Sequence, residues 1–256
     1  MNDVLEVRDL SVRFDALKAV DGLDLDLPAA QVTALIGPNG AGKSTAFNAI
    51  TGFVAAEAGS VRLAGRSLLG LQPHEIAVHG VVRTFQRKSI FPRLTVEENL
   101  RVALYRRPTD LGARRRRAAR GPSSRGTAVG TAAAELIARL RLGDPRRPAG
   151  TLPYGRQRFL AVGVALAARP RFLLLDEPTA GLNATETDQM AELLSEVAAD
   201  GTGILLVEHD MRFVMGLATR VAVLSAGTKI ADGTPREVQA SPQVRAAYLG
   251  ERHRAS

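Results

Sequence analysis

Cysteine is absent from all 256 residues, so disulfides and thiolate metal centres are excluded, and a reducing compartment is compatible with the chain. Long apolar runs are missing too. The longest, Phe159 to Ala168, falls well short of the roughly 20 residues that a membrane-spanning helix needs, so the chain is not expected to cross a bilayer by itself. Met1 to Val7 carries no basic stretch followed by an apolar run, which argues against a signal peptide and for a first strand. No internal repeat recurs at a fixed period and no heptads are sustained, which sets aside solenoids, propellers and long coiled coils. What is present, 45% apolar residues, suffices for one large core, or one core with a smaller lobe.

The formal charge of +8 would point to nucleic acid or an anionic surface if it were spread over a face. It is instead concentrated. Arg114, Arg115, Arg116, Arg117 and Arg120 lie beside Gly121-Pro122-Ser123-Ser124-Arg125-Gly126, a breaker-rich stretch that reads as loop. A solvated basic loop is the simpler reading, and contact with lipid headgroups or a partner is the other.

Apolar strands alternate with helical patterns on both sides of this segment. In Leu23-Asp24-Leu25-Asp26-Leu27 the leucines share one face, as in a half-buried strand. Val32 to Ile36 runs into a glycine-rich turn and then a helix from about Lys43. Phe172 to Leu175, Ile204 to Val207 and Val221 to Leu224 are short continuous apolar runs, as in sheets covered on both faces. Residues 87–168 are mostly helical in pattern, with Val96 to Arg106, Thr131 to Leu142 and Tyr154 to Ala168 as the helices. The reading is an α/β core (1–86 and 169–256) with an inserted helical lobe (87–168).

The turn Gly37-Pro38-Asn39-Gly40-Ala41-Gly42-Lys43-Ser44-Thr45 fits G-x-x-x-x-G-K-[ST] between a strand and a helix. Glycines let backbone amides turn toward phosphate oxygens, and the helix N-terminus adds partial positive charge. Lys43 is expected on the β- and γ-phosphates of a nucleotide and Ser44 on Mg²⁺. Further on, the run ending at Leu175 delivers Asp176 and Glu177 to a strand's C-terminal edge. The first carboxylate suits Mg²⁺, and the second can orient or deprotonate an attacking water.

With those residues placed, nearly the whole chain resembles the nucleotide-binding subunits of ABC transporters. That resemblance implies a P-loop NTPase core with a mostly parallel sheet, an N-terminal antiparallel β part and an inserted helical subdomain. It also implies further site residues. Phe14 stands where the family places an aromatic ring on adenine, although a buried strand phenylalanine accounts for it nearly as well. Thr84-Phe85-Gln86, followed by Leu94 to Leu100, looks like the glutamine loop, whose amide reaches Mg²⁺ or the lytic water. His209, behind Leu205-Leu206-Val207-Glu208, resembles the switch histidine that contacts the γ-phosphate.

The signature segment departs from the family's common Leu-Ser-Gly-Gly-Gln, for here it reads Leu152-Pro153-Tyr154-Gly155-Arg156. Gly155 and the helix N-terminus at Tyr154 can still present donors to a nucleotide on an opposite subunit. Arg156 either replaces the lost serine or is plain surface. This variant is closer to the ATPases of branched-chain amino-acid importers, as are Ala180-Gly181-Leu182-Asn183, Glu208-His209-Asp210-Met211, and the ending from Ile230 to Glu251. The resemblance implies ATP and Mg²⁺, membrane permease partners, a second ATPase subunit in a heterodimer, a substrate-binding protein acting indirectly, and a peripheral place on the cytoplasmic face of the cell membrane. Urea, amide or lipid cargoes are the alternatives within the class. A soluble ATPase acting on nucleic acid is the alternative outside it, and one glycine loop without heptads leaves no nucleic acid expected.

Overall fold

The computed structural model describes residues 3–84, 90–105 and 122–252, with backbone alone at 122–125 and 249–252. Gln86 and the arginines 114–117 and 120 therefore lie outside the described residues.

Two sheets form the framework. The first is antiparallel in the order β2-β1-β4-β5, from β1 (Val4–Phe14), β2 (Leu17–Pro28), β4 (Ala58–Leu63) and β5 (Arg66–Ser67). In β2 the alternation holds, with Leu23, Leu25 and Leu27 buried. The second sheet has the order β10-β9-β3-β8-β7-β6: β3 (Val32–Ile36), β6 (Val81–Arg83), β7 (Phe172–Asp176), β8 (Gly203–Val207) and β9 (Arg220–Ser225) run parallel, and β10 (Thr228–Gly233) closes the edge antiparallel. The expected α/β core with an antiparallel N-terminal part is what forms.

Strands β3, β7 and β8 are buried at every residue because each face meets a different apolar layer. Leu35, Phe172, Leu174, Leu205 and Val207 face the layer between the sheets, which also holds helix α1 (Lys43–Ile50) through Ala46, Phe47, Ala49 and Ile50. Ala34, Ile36, Leu173, Leu175, Ile204 and Leu206 face the opposite layer. That layer is covered by α3 (Val96–Tyr105), α4 (Pro122–Arg139), α5 (Tyr154–Ala167), α6 (Ala184–Ala199) and α7 (Met211–Leu217). The short α2 (Pro73–Val78) precedes β6, and α8 (Pro235–Ala240) and α9 (Pro242–Arg252) follow β10.

One expectation is corrected. Pro122 to Gly126, read as loop, is the start of α4, which begins before the expected Thr131 and ends at Arg139. Proline lacks an N–H that a first helical turn does not need, and its fixed φ suits that position. Gly126 and Gly130 face open space, so each costs only the helix propensity of about 1 kcal/mol. Burial of Val129, Ala133 and Ile137 at helical spacing on α3 and α5 outweighs that cost.

Candidate nucleotide and hydrolysis site

The turn after β3 is shaped by glycines that cannot be replaced. Gly37 has φ 149°, and a Cβ there would lie 2.1 Å from the Leu224 carbonyl oxygen. Gly42, the N-cap of α1, has φ 100°, and a Cβ would lie 2.3 Å from the Ala19 carbonyl oxygen. The chain thus passes tightly between β9 and β2, and the N-cap Gly42 has no side chain to cap the first-turn amides of α1. The buried Lys43 donates from Nζ to the carbonyls of Gly37 and Pro38, both at 2.7 Å, so its ammonium arches over the turn.

A cleft of about 610 Å³ opens over this turn. It is lined by Asn39, Gly40, Ala41, Gly42, Lys43, Ser44 and Thr45, and by Glu177, His209 and Phe14. Phe14 is 49% exposed at the end of β1, which excludes the buried-strand reading of this ring. Amides at a helix N-terminus, an ammonium and an exposed flat apolar face are together what a phosphorylated base requires.

Asp176 ends β7 and is buried, and its Oδ1 has no hydrogen-bond partner among the described residues. Burial, and next the charge of Glu177, push its carboxyl above the usual range; Glu208 adds to this, while Arg83 and His209 draw it down. An orphaned buried carboxylate oxygen fits a divalent cation. Among the described residues no group of three or more His, Asp or Glu could hold a metal alone, so such a cation would complete its shell with Ser44, phosphate oxygens and water.

Glu177 has φ 48°, a left-handed conformation that costs a non-glycine residue about 1–3 kcal/mol. Its N–H donates to the Val207 carbonyl at 2.8 Å, which ties the strained turn to β8. Its carboxylate meets the second cleft-lining residue of this pair, with Oε1 3.0 Å from Nε2 of His209. His209 precedes α7, whose N-cap Asp210 accepts from the N–H groups of Arg212 and Phe213 at 2.9 and 3.2 Å.

Two contributors were given no role by the sequence reading. Glu208, 4% exposed, accepts from the Thr179 N–H and hydroxyl and from the His209 N–H. Arg83, at the end of β6, donates to Asn48 Oδ1 at 2.6 Å and Thr51 Oγ1 at 3.1 Å, and its guanidinium sits over Phe47 and Phe53 at 4.6 and 4.9 Å from their centroids. Burial lowers its pKa and the charge of Asp176 works against this. It fastens α1 to the strand that leads toward Gln86.

Tyr154 and Gly155 begin α5 as expected but do not line the cleft. The Tyr154 ring packs on Gly181, and its hydroxyl accepts from Arg158 Nε at 3.0 Å. Gly155 faces the Glu186 carboxylate, which caps α6. Arg156, left open by the sequence, donates to Gln189 on α6 at 3.1 Å and lies over Phe159.

Comparison with known proteins shows the family. The family model described as ABC transporter matches residues 20–180, and a second, described as branched-chain amino acid ATP-binding cassette transporter, matches 228–254. The chain is 42% identical over 251 residues to the high-affinity branched-chain amino acid transport ATP-binding protein BraF of Pseudomonas aeruginosa, covering 97% of this chain and 98% of that one. It is 41% identical to LivG of Escherichia coli, described in the same words, over 97% of this chain and 98% of the relative. A crystal structure titled as the ADP conformation of an ATP-binding cassette of an ABC transporter superposes with a TM-score of 0.82 at 28% identity, covering 97% and 99% of the two chains.

Proposed function

This chain belongs to the ABC transporter family of ATP-binding subunits, and from that premise we propose that it powers an importer of branched-chain amino acids by hydrolysing ATP at the cleft over Lys43. The observation that carries the hydrolytic step is the approach of Glu177 and His209 at 3.0 Å in the cleft that Lys43 also lines. Lys43 and the amides of 37–45 hold the triphosphate, and Phe14 takes the base. Glu177 orients the water and accepts its proton, while His209 meets the γ-phosphate and fixes the Glu177 carboxylate. Mg²⁺, when bound, neutralises charge on the β- and γ-oxygens. Asp176, Ser44 and Gln86 would hold it.

Tyr154 and Gly155 lie off the cleft, so they serve a nucleotide on a second ATPase subunit in a head-to-tail pair. That partner is a different chain, and the departure at Pro153 makes the two composite sites unequal. The helical lobe, 87–168, passes closure of the pair to membrane permease subunits, which receive cargo from a binding protein. No described helix is long and apolar enough to cross a membrane, and the peripheral place on the cytoplasmic face rests on the family membership. The match at 228–254 favours branched-chain amino acids over urea, amide or lipid cargo.

Glu177→Gln is the test. It should keep ATP affinity within about twofold and lower turnover by about 10²-fold or more, the span of general-base catalysis. Undiminished turnover removes Glu177 from that role. Cargo is tested by reconstituting the chain with the products of neighbouring permease and binding-protein genes. Stimulation of ATPase by leucine, isoleucine or valine is expected, and stimulation by urea or lipid alone refutes the assignment.

A further inference from the structure

Glu208 has no part in the chemistry above, yet it stands between the two segments that carry it. Strands β7 and β8 run side by side until Asp176 pairs with Val207, where the ladder ends. Beyond that point the two chains diverge, one into Glu177-Pro178-Thr179 and the other into Glu208-His209-Asp210. The buried Glu208 carboxylate spans the gap. Its Oε1 accepts from the Thr179 N–H at 2.9 Å and from the Thr179 hydroxyl, and its Oε2 accepts from the N–H groups of His209 at 2.8 Å and Asp210 at 3.4 Å. One oxygen thus holds the turn just after Glu177, and the other holds the backbone of His209.

We propose that Glu208 is a positioning residue for ATP hydrolysis, fixing the separation of Glu177 and His209 without touching the nucleotide. The inference rests on the reading of Glu177 as base and His209 as γ-phosphate contact. Only a carboxylate satisfies the arrangement, since four donors converge on two acceptor oxygens. A glutamine amide offers one acceptor and must turn its NH₂ toward either the Thr179 side or the His209 side. The strained φ of 48° at Glu177 makes the link more consequential, because a turn released from its tether relaxes toward an ordinary conformation.

The test uses the full-length chain assembled with its partner ATPase subunit, carrying E208Q, E208A or T179V, with E177Q and H209A as references. Steady-state ATP hydrolysis is measured alongside binding of a fluorescent ATP analogue. A displacement of about 1 Å at a reacting group costs about 10²-fold, so E208A should lower kcat by about that factor and E208Q by about tenfold. T179V, which removes one of the donors, should fall between wild type and E208Q. KM for ATP and analogue affinity should stay within about twofold, because Glu208 does not line the cleft. A kcat within twofold of wild type in E208Q and E208A overturns the proposal, as does a fall in kcat matched by an equal loss of ATP affinity. Should E208A fail to fold, the isosteric E208Q decides alone. Wild-type turnover in E177Q and H209A would instead sink the underlying catalytic reading, a result separable from failure of Glu208 alone.

Discussion

Replacing Gly155 by alanine should change stability in a way that depends on Glu186. A Cβ at Gly155 would lie 2.1 Å from Glu186 Oε1, 2.4 Å from its Cδ and 2.6 Å from Oε2, so the carboxylate occupies the space the methyl needs. That carboxylate is not idle. It accepts from the Asn183 N–H at 3.1 Å, while Asn183 Oδ1 accepts from the Glu186 N–H at 3.0 Å, the reciprocal pair that starts α6. Moving aside forfeits one cap hydrogen bond, about 1 kcal/mol. Against this, alanine is favoured over glycine within a helix by up to about 1 kcal/mol. In the natural background G155A should therefore be neutral to destabilising by about 1 kcal/mol. In an E186A background the obstruction is gone, and the same substitution should stabilise by about 0.5–1 kcal/mol.

The measurement is a double-mutant cycle by urea or thermal unfolding, where about 1 kcal/mol shifts Tm by about 2–4 °C for a chain of this size. Equal effects of G155A in the two backgrounds, within about 0.3 kcal/mol, would refute the reasoning. The doubly substituted chain also separates two roles of Gly155. If it folds well but a complex containing it hydrolyses ATP poorly, the added methyl obstructs the nucleotide of the opposing subunit.

Two further outcomes are expected. Phe14→Ala should raise KM for ATP about 3- to 10-fold with kcat nearly unchanged, since a stacking face contributes about 0.5–1.5 kcal/mol of binding and takes no part in the proton transfer assigned to Glu177; an unchanged KM would remove Phe14 from the base site. Burial alone would raise the Asp232 carboxyl, but hydrogen bonds from Arg220 Nε and Lys229 Nζ, both 2.6 Å, outweigh it and hold its pKa below the usual range. A carboxylate with a depressed folded pKa contributes stability above its unfolded pKa and loses it as pH falls through the folded value. Asp232→Asn should therefore lower stability at pH 7 and flatten the decline below about pH 4 in acid titrations of unfolding, and an acid limb as steep as wild type would contradict it.

Much of this was legible because the signals were local. Three short continuous apolar runs announced strands β7, β8 and β9, and the strand–glycine turn–helix order around Lys43 was read from spacing alone. The start of α4 was not legible, because Pro122 and Gly126 signal a break that burial of Val129, Ala133 and Ile137 overrides. Nor was the left-handed turn at Glu177, since glutamate has no intrinsic preference for positive φ and is held there by a bond to Val207. Glu208 went unread for a related cause. Its partner Thr179 lies 29 residues away, and only the adjacency of β7 and β8 makes one carboxylate a link between two loops.

Strand β3 sends Leu35 into one apolar layer and Ala34 and Ile36 into the other, and the phosphate turn begins at the next residue. Whatever occupies that turn is thermodynamically linked to both layers at once. Nucleotide at a hundred times its dissociation constant adds about 2.7 kcal/mol to the folding equilibrium of whatever it holds together. The ATP level around this chain therefore acts as a stabiliser of its whole interior. Starved of nucleotide, the chain would be more open to proteolysis and hydrogen exchange in helices far from the cleft.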